Sequence, residues 1–226
     1  MTHPHIDHYR GAETISRHFE IKHYYDPGFP SDKTGYVAFL AAMDGSSGQP
    51  PRAENVHIGP GNFGDLDWGS ELDAEFLYSW PGNNAGLGTE NTLINNSSIV
   101  LRLQYGEHVF LLMGDAEGKN CGDDPNPPKY VEKILIDTVP DWLDATVLKI
   151  GHHGSETSST NDFIDAVDPS IVVVQSGRKP FHGVFLPDST TLQRYCDHNL
   201  TFASIGQTRG TRPLVSCTVT LWTVTI

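Results

Sequence analysis

Cysteine is scarce in this chain: Cys121, Cys196 and Cys217 are the only three among 226 residues. Their number is odd and their spacing is not that of metal ligands, so neither a disulfide framework nor a cysteine zinc site is suggested. They read as core or surface thiols and fit a reducing compartment. Long apolar runs are missing as well. Nothing approaches the ~20 residues that cross a bilayer, and the N-terminus lacks the basic-then-apolar order of a signal peptide. The expectation is a soluble chain with no membrane segment, cytoplasmic as written. Basic residues are few: 15 against 28 acidic ones give a formal charge of −13, and that field opposes sustained contact with a polyanion. Nucleic acid is therefore disfavoured as a partner, although bound divalent cations would soften the field locally.

What is present is an ordinary globular composition, 38% apolar and 10% aromatic. The length permits one large domain or two small ones. An amphipathic segment from Ala12 to Phe19 predicts a helix that the preceding histidine-rich loop enters. From Pro27 to Ser70 the chain reads as loop, with a helix from Gly35 to Met43 inside it. Glu71 to Trp80 alternates as a half-buried strand does, and a Gly- and Asn-rich loop runs from there to Asn96. Ile99–Gln104 and Val109–Met113 flank Gly106-Glu107 as a tight hairpin whose second strand is apolar on both faces and so central. Tyr130–Ile136 is helical in spacing and Ala145–Ile150 strand-like. Ser159-Thr160-Asn161-Asp162 resembles a capping box for a helix to Val167. Ile171–Gln175 is a buried strand, Pro187-Asp188-Ser189 opens a helix to Asp197, and Leu214–Ile226 alternates as a terminal strand. Interleaved helices and strands indicate a layered α/β domain.

Chemistry concentrates in three segments. His3, His5, Asp7 and His8 place three imidazoles and a carboxylate within six positions. That donor set suits zinc, manganese or iron, and the segment is long enough to serve two adjacent ions. Gly114-Asp115-Ala116-Glu117 ends an apolar strand, where functional carboxylates of α/β folds emerge. Gly151-His152-His153-Gly154-Ser155 ends another, its glycines permitting close backbone approach.

In this order the segments resemble the metallo-β-lactamase superfamily, and within it the metallo-β-lactamase-like domain of the competence protein ComEC and its stand-alone relatives. The matching pieces are His3-Pro-His5-Ile-Asp7-His8, Asn95-Asn96-Ser97-Ser98-Ile-Val-Leu-Arg-Leu, Phe110-Leu-Leu-Met-Gly-Asp115-Ala-Glu117 and Val147-Leu-Lys-Ile-Gly-His152-His153-Gly-Ser155. The resemblance implies a single αββα sandwich over residues 1–226 that holds two divalent ions, zinc or manganese. It implies that His3 and His5 hold the first ion, Asp7 and His8 the second, and that Asp115 bridges them. One of His152 and His153 completes the ligand set of the second ion, and the position straight after glycine favours His152. Many members place a further histidine before the hairpin serine, where this chain has Ile94-Asn95-Asn96-Ser97, so the first ion is expected to bind more weakly. The implied chemistry is hydrolysis by a metal-activated water. Asp7 would orient the nucleophile, and the unused member of His152 and His153, or His182, would protonate the leaving group. Asn96, Lys149 and Ser155 are candidates for binding a small phosphoester or another anionic substrate.

Members of this superfamily normally carry several strands before the histidine motif. Here Met1 stands where a buried strand is expected to end. The sandwich is thus expected to be incomplete at the N-terminus, with exposed apolar surface and with His3 and His5 on a fraying end, as a shortened chain or a start codon placed too late would give. Phosphodiester hydrolysis is the leading expectation. Lactam, lactone or thioester hydrolysis, and an inert metal-binding domain, are the alternatives.

Overall fold

The computed structural model describes residues 1–19, 21, 23–43, 54–57, 65–84, 86–177, 180, 183–198, 200–205 and 219–222. In chain order the elements are α1 (Ile6–His18), β1 (His23–Asp26), α2 (Thr34–Met43), β2 (Glu54–His57), β3 (Asp65–Asp67), β4 (Leu72–Tyr78), α3 (Glu90–Asn95), β5 (Val100–Tyr105) and β6 (His108–Leu112). There follow α4 (Tyr130–Thr138), β7 (Val147–Lys149), α5 (Asn161–Val167), β8 (Ile171–Gln175), α6 (Ser189–Asp197), β9 (Thr201–Ile205) and β10 (Val219–Trp222). Eight strands form one sheet in the order β10-β9-β8-β7-β6-β5-β4-β3, while β1 and β2 pair separately and in parallel. From β3 to β6 the pairs are antiparallel, and from β6 to β10 parallel. The hairpin of β5 and β6 pairs Tyr105 with His108 across Gly106-Glu107, and Gly106 takes φ +58° as a two-residue turn requires. β6 is central, as its two apolar faces predict.

Layering follows from which faces are apolar. One face of the large sheet presents Leu77, Leu111, Leu148 and Val172 to Val131 and Leu135 of α4, Phe163, Ile164 and Val167 of α5 and Tyr195 of α6, all buried in one cluster. Each such side chain contributes about 1.5–3 kcal/mol on burial. On the other face Phe76 and Ile99 are covered by Tyr25 of β1, whose ring lies 5.4 Å from that of Phe76. Beyond β1, α1 and α2 close a third cluster of Tyr9, Tyr24, Tyr36, Phe39 and Met43. Helices therefore flank two facing sheets, the smaller having two strands among the described residues.

Several expectations need correction. α1 begins at Ile6, six residues early, because Tyr9 and Ala12 already pack against α2 and Asp7 sits in the first turn, where a helix favours negative charge. The terminus does not fray. The Met1 ammonium donates to Tyr25 O at 3.0 Å, Ile99 N donates to Thr2 O at 3.0 Å, and His3 is wholly buried. Short elements β2, β3, α3 and β9 occupy stretches without a periodic signal; of the expected tail strand, Val219–Trp222 is described and the rest lies outside the described residues. Thr160 caps α5 without a side-chain bond to the helix; instead Glu132 of α4 accepts from Ser159 N, Thr160 N and Thr160 Oγ1. Cys196 is disulfide-bonded and Cys121 free. Among the described residues no helix is long and apolar enough to cross a membrane.

Candidate metal centre

The parallel strands β6 and β7 deliver their loops side by side beneath the N-terminal segment. Gly114 follows β6 with φ +57°, and a Cβ there would meet Ser98 at 2.9 Å. Beyond β7, a Cβ on Gly151 would lie 2.2 Å from Ala116 O, so the Asp115 and His153 loops meet only because both positions are glycine. The variant Gly151→Ala is expected to lose about 1–3 kcal/mol of stability, read by urea unfolding, together with metal content. Unchanged values in both would contradict this close approach. His152 and His153 then take φ +42° and +53° in succession. Left-handed backbone costs roughly 1–2 kcal/mol per non-glycine residue, a strain characteristic of functional sites.

That turn separates the two histidines. His153 Nε2 lies 3.3 Å from Asp7 Oδ2, 3.4 Å from Asp115 Oδ2 and 3.3 Å from His8 Nε2. His8 Nε2 in turn lies 3.2 Å from Asp115 Oδ2 and 3.7 Å from Asp7 Oδ2. Next to this group, His3 Nε2 is 2.9 Å from His5 Nδ1 and 3.5 Å from Asp115 Oδ2. Two clusters of donors able to hold a cation result, His3-His5-Asp115 and Asp7-His8-His153. His152 is turned away. Its Nδ1 meets Glu117 Oε1 at 2.9 Å, and Asn95 Nδ2 stands 3.4 Å from its Nε2.

The outer atoms fix which nitrogen each ring presents. His153 Nδ1 donates to Gln175 O at 2.7 Å, His8 Nδ1 meets Thr2 Oγ1 at 2.9 Å, and His3 Nδ1 meets Ser98 Oγ at 3.2 Å. Each Nε2 is thereby aimed at Asp115, the arrangement that orients histidine ligands. Charge is unbalanced. Burial alone would lower the His153 proton affinity, but hydrogen bonds to Asp115 and Asp7 outweigh it and raise the value to about 10. The bond from His153 holds Asp7 down at about 2. Burial pushes Asp115 upward, yet hydrogen bonds from His153 and His8 keep it well below the usual carboxylate range. His3 falls well below an ordinary imidazole through burial, and His5 falls through burial and then through nearby Lys33. The carboxylates thus draw positive charge into the cluster.

His5, Asp7, Asp115 and His153 of the two clusters line a cleft of about 760 Å³ with Tyr9, Lys33, Asn95, Glu117 and His152 on its walls. Asn96, Lys149 and Ser155, expected at the substrate, do not line it, because their polar atoms serve the scaffold. Asn96 is fully buried, donating to Leu87 O and accepting from Glu117 N. Lys149 donates to Gly114 O and Ile150 O, and Ser155 Oγ accepts from Thr157. His182 lies outside the described residues. Glu117 and His152 both stand in the matching pieces, but their pairing is a tertiary contact that sequence does not mark, and nothing local marks Lys33.

The family model of the metallo-beta-lactamase superfamily matches residues 1–178. The chain belongs to that superfamily. It is similar to ComE operon protein 3 of Bacillus subtilis, at 28% identity over 79% of this chain and 20% of that protein. It also resembles Recombination protein 2 of Haemophilus influenzae, at 34% over 37% of this chain and 9% of that one, and Competence protein ComA of Neisseria gonorrhoeae, at 36% over 37% and 10%. The chain spans a fifth or less of these relatives' length. A solved structure of a CmlA beta-hydroxylase mutant shares the fold with a TM-score of 0.53 at 14% identity, over 90% of this chain and 42% of that one. Membership supports metal-dependent hydrolysis as the general chemistry, and the donor clusters are candidate ligand groups for divalent ions.

Proposed function

We propose that the chain is a two-metal phosphoesterase acting on phosphodiesters. The supporting observation is the spacing of Asp7 Oδ2, His8 Nε2, His153 Nε2 and Asp115 Oδ2, whose five recorded separations run from 3.2 to 3.7 Å. Ligands ~2.0–2.1 Å from a tetrahedral zinc ion are ~3.3–3.4 Å apart. Unused buried oxygens add to the fit. Asp115 Oδ1 and Asn95 Oδ1 are both buried without a hydrogen-bond partner, and Asn95 Nδ2 is committed to Glu117 at 2.9 Å, which leaves its oxygen as the free end. In this reading His3, His5 and Asp115 hold the first ion, with Asn95 Oδ1 the available further donor. Asp7, His8, His153 and Asp115 hold the second, so that His153 rather than His152 is the ligand.

Two ions held by these residues would lower the pKa of a bound water and favour charge developing on a phosphoryl oxygen. The chain's own residues do the rest. Asp7, on the cleft wall, orients the nucleophile. His152, held by Glu117 and facing the same cleft, protonates the leaving oxygen. Phosphodiesters are favoured over lactams because two ions held by these donor groups would suit displacement at phosphorus. The −13 charge points to a small diester rather than to long nucleic acid.

Metal content by mass spectrometry and turnover of a chromogenic phosphodiester with added manganese or zinc test the reading. Two ions per chain and turnover are expected. His153→Ala should lose one ion, whereas His152→Ala should keep both and lower kcat by roughly 10²–10⁴-fold. A metal-replete protein without phosphoester turnover would overturn the proposal.

A further inference from the structure

Among the described residues lining the cleft, Lys33 is the single lysine or arginine; Asp7, Asp115 and Glu117 bring negative charge to the same walls. It directly precedes α2, and Lys33 O accepts from Tyr36 N at 2.9 Å and Val37 N at 3.0 Å, so its backbone is fixed by the first turn of that helix. No acidic residue occupies that turn, and the helix N-terminus adds potential of the same sign. Three other lysines of this acid-rich protein are ion-paired, Lys119 with Glu156, Lys129 with Asp123 and Lys133 with Asp137, and Lys149 is bound to the carbonyls of Gly114 and Ile150. Among the described residues no carboxylate lies within ion-pair distance of the exposed Lys33 ammonium. A cation kept unpaired beside a strongly anionic cluster is suited to a ligand that brings its own negative charge.

We propose that Lys33 binds the anionic oxygen of the substrate and makes the cleft selective for charged phosphoesters over neutral lactams, lactones and thioesters. This rests on the hydrolase reading above and names the substrate charge it requires. A lysine ammonium is a mobile point charge with three donors, able to follow a phosphoryl oxygen as the displacement proceeds. A neutral ester gains no such bond.

The test is calorimetric titration of inorganic phosphate into the full chain, metal-free and zinc-loaded, for wild type, Lys33→Gln and Lys33→Arg. A charged hydrogen bond is worth roughly tenfold to a hundredfold in affinity. For an exposed side chain the lower end is expected: about tenfold weaker binding in Lys33→Gln, near-wild-type binding in Lys33→Arg, and a shallower salt dependence in the glutamine variant. With the chromogenic diester the loss should fall on KM more than on kcat. Equal phosphate affinity in wild type and Lys33→Gln, or no phosphate binding by wild type, overturns the inference. Lys33-dependent phosphate binding without diester turnover would keep this anion subsite and sink the phosphodiesterase reading. Turnover whose KM is indifferent to Lys33 would do the reverse.

Discussion

Asp115→Ala is expected to abolish phosphodiester turnover and to take both ions with it. The residue belongs to the first donor cluster through His3, and its Oδ2 is also within 3.4 Å of His8 and His153 in the second. Removing it strips one anionic donor from each ion and leaves several buried imidazoles facing one another. Losing ~4 kcal/mol of transition-state stabilisation, within the several that bound metal supplies, corresponds to ~10³-fold in rate. Metal content should fall from two per chain to near zero. Asp115→Asn keeps the shape and one neutral oxygen, so it should fold, as circular dichroism would report, yet still bind metal poorly. A variant lacking this carboxylate that retains two ions and a tenth of wild-type activity would show that the clusters are not the catalytic centre.

The candidate donor types were legible in sequence because metal chemistry restricts them: few roles other than cation binding explain three imidazoles and a carboxylate within six residues. Which histidine of the 152–153 pair joins the cluster was not. The choice depends on a left-handed turn over two non-glycine residues, set by loop packing and the Gln175 carbonyl 22 positions away. Position after glycine favoured His152, but the backbone turns His153 toward Asp7 and Asp115. Lys33 is similar in kind. Nothing near it in sequence marks it, and only the packing of α1 on α2 brings it to the cleft.

For the fold, strong periodicity carried over well. The β5–β6 hairpin, β8, α5 and α6 stand where alternation, apolar runs or turn residues place them, because each buries a continuous face of the main core. The missed elements are short and take their order from contact rather than propensity. α3 is six residues with a neutral N-cap, and its last turn is held by the burial of Ile94 and Asn95. The onset of α1 was hidden by its own composition, since the polar Asp7 and His8 interrupt the amphipathic pattern that Tyr9 and Ala12 begin.

The cap of α5 shows the same dependence on distant residues and leads to a stability prediction. Glu132 is almost fully buried, 27 and 28 residues before the backbone amides it accepts from. Burial pushes its carboxyl up to about 7 from 4.5, although three donors and Arg194 resist the shift. Because the folded value lies above the unfolded one, its contribution to stability is fully present below pH 4.5 and is lost as pH rises through 7. The loss is up to about 3 kcal/mol across that window. Glu132→Gln has nothing to titrate, and its amide must turn N–H groups toward Ser159 N or Thr160 N, at a cost of about 1–3 kcal/mol. The penalty of this substitution, measured by urea unfolding, should therefore be largest near pH 5 and shrink markedly by pH 8. A penalty equal at both pH values would mean that Glu132 is ionised throughout and acts as a fixed anionic cap. Glu132→Ala leaves all three donors without an acceptor and should cost about 3 kcal/mol or more at pH 5. The effect should reach the metal centre, since Arg194 ties the same loop through Ser158 O and Ser159 O, and that loop continues directly from the His153 turn.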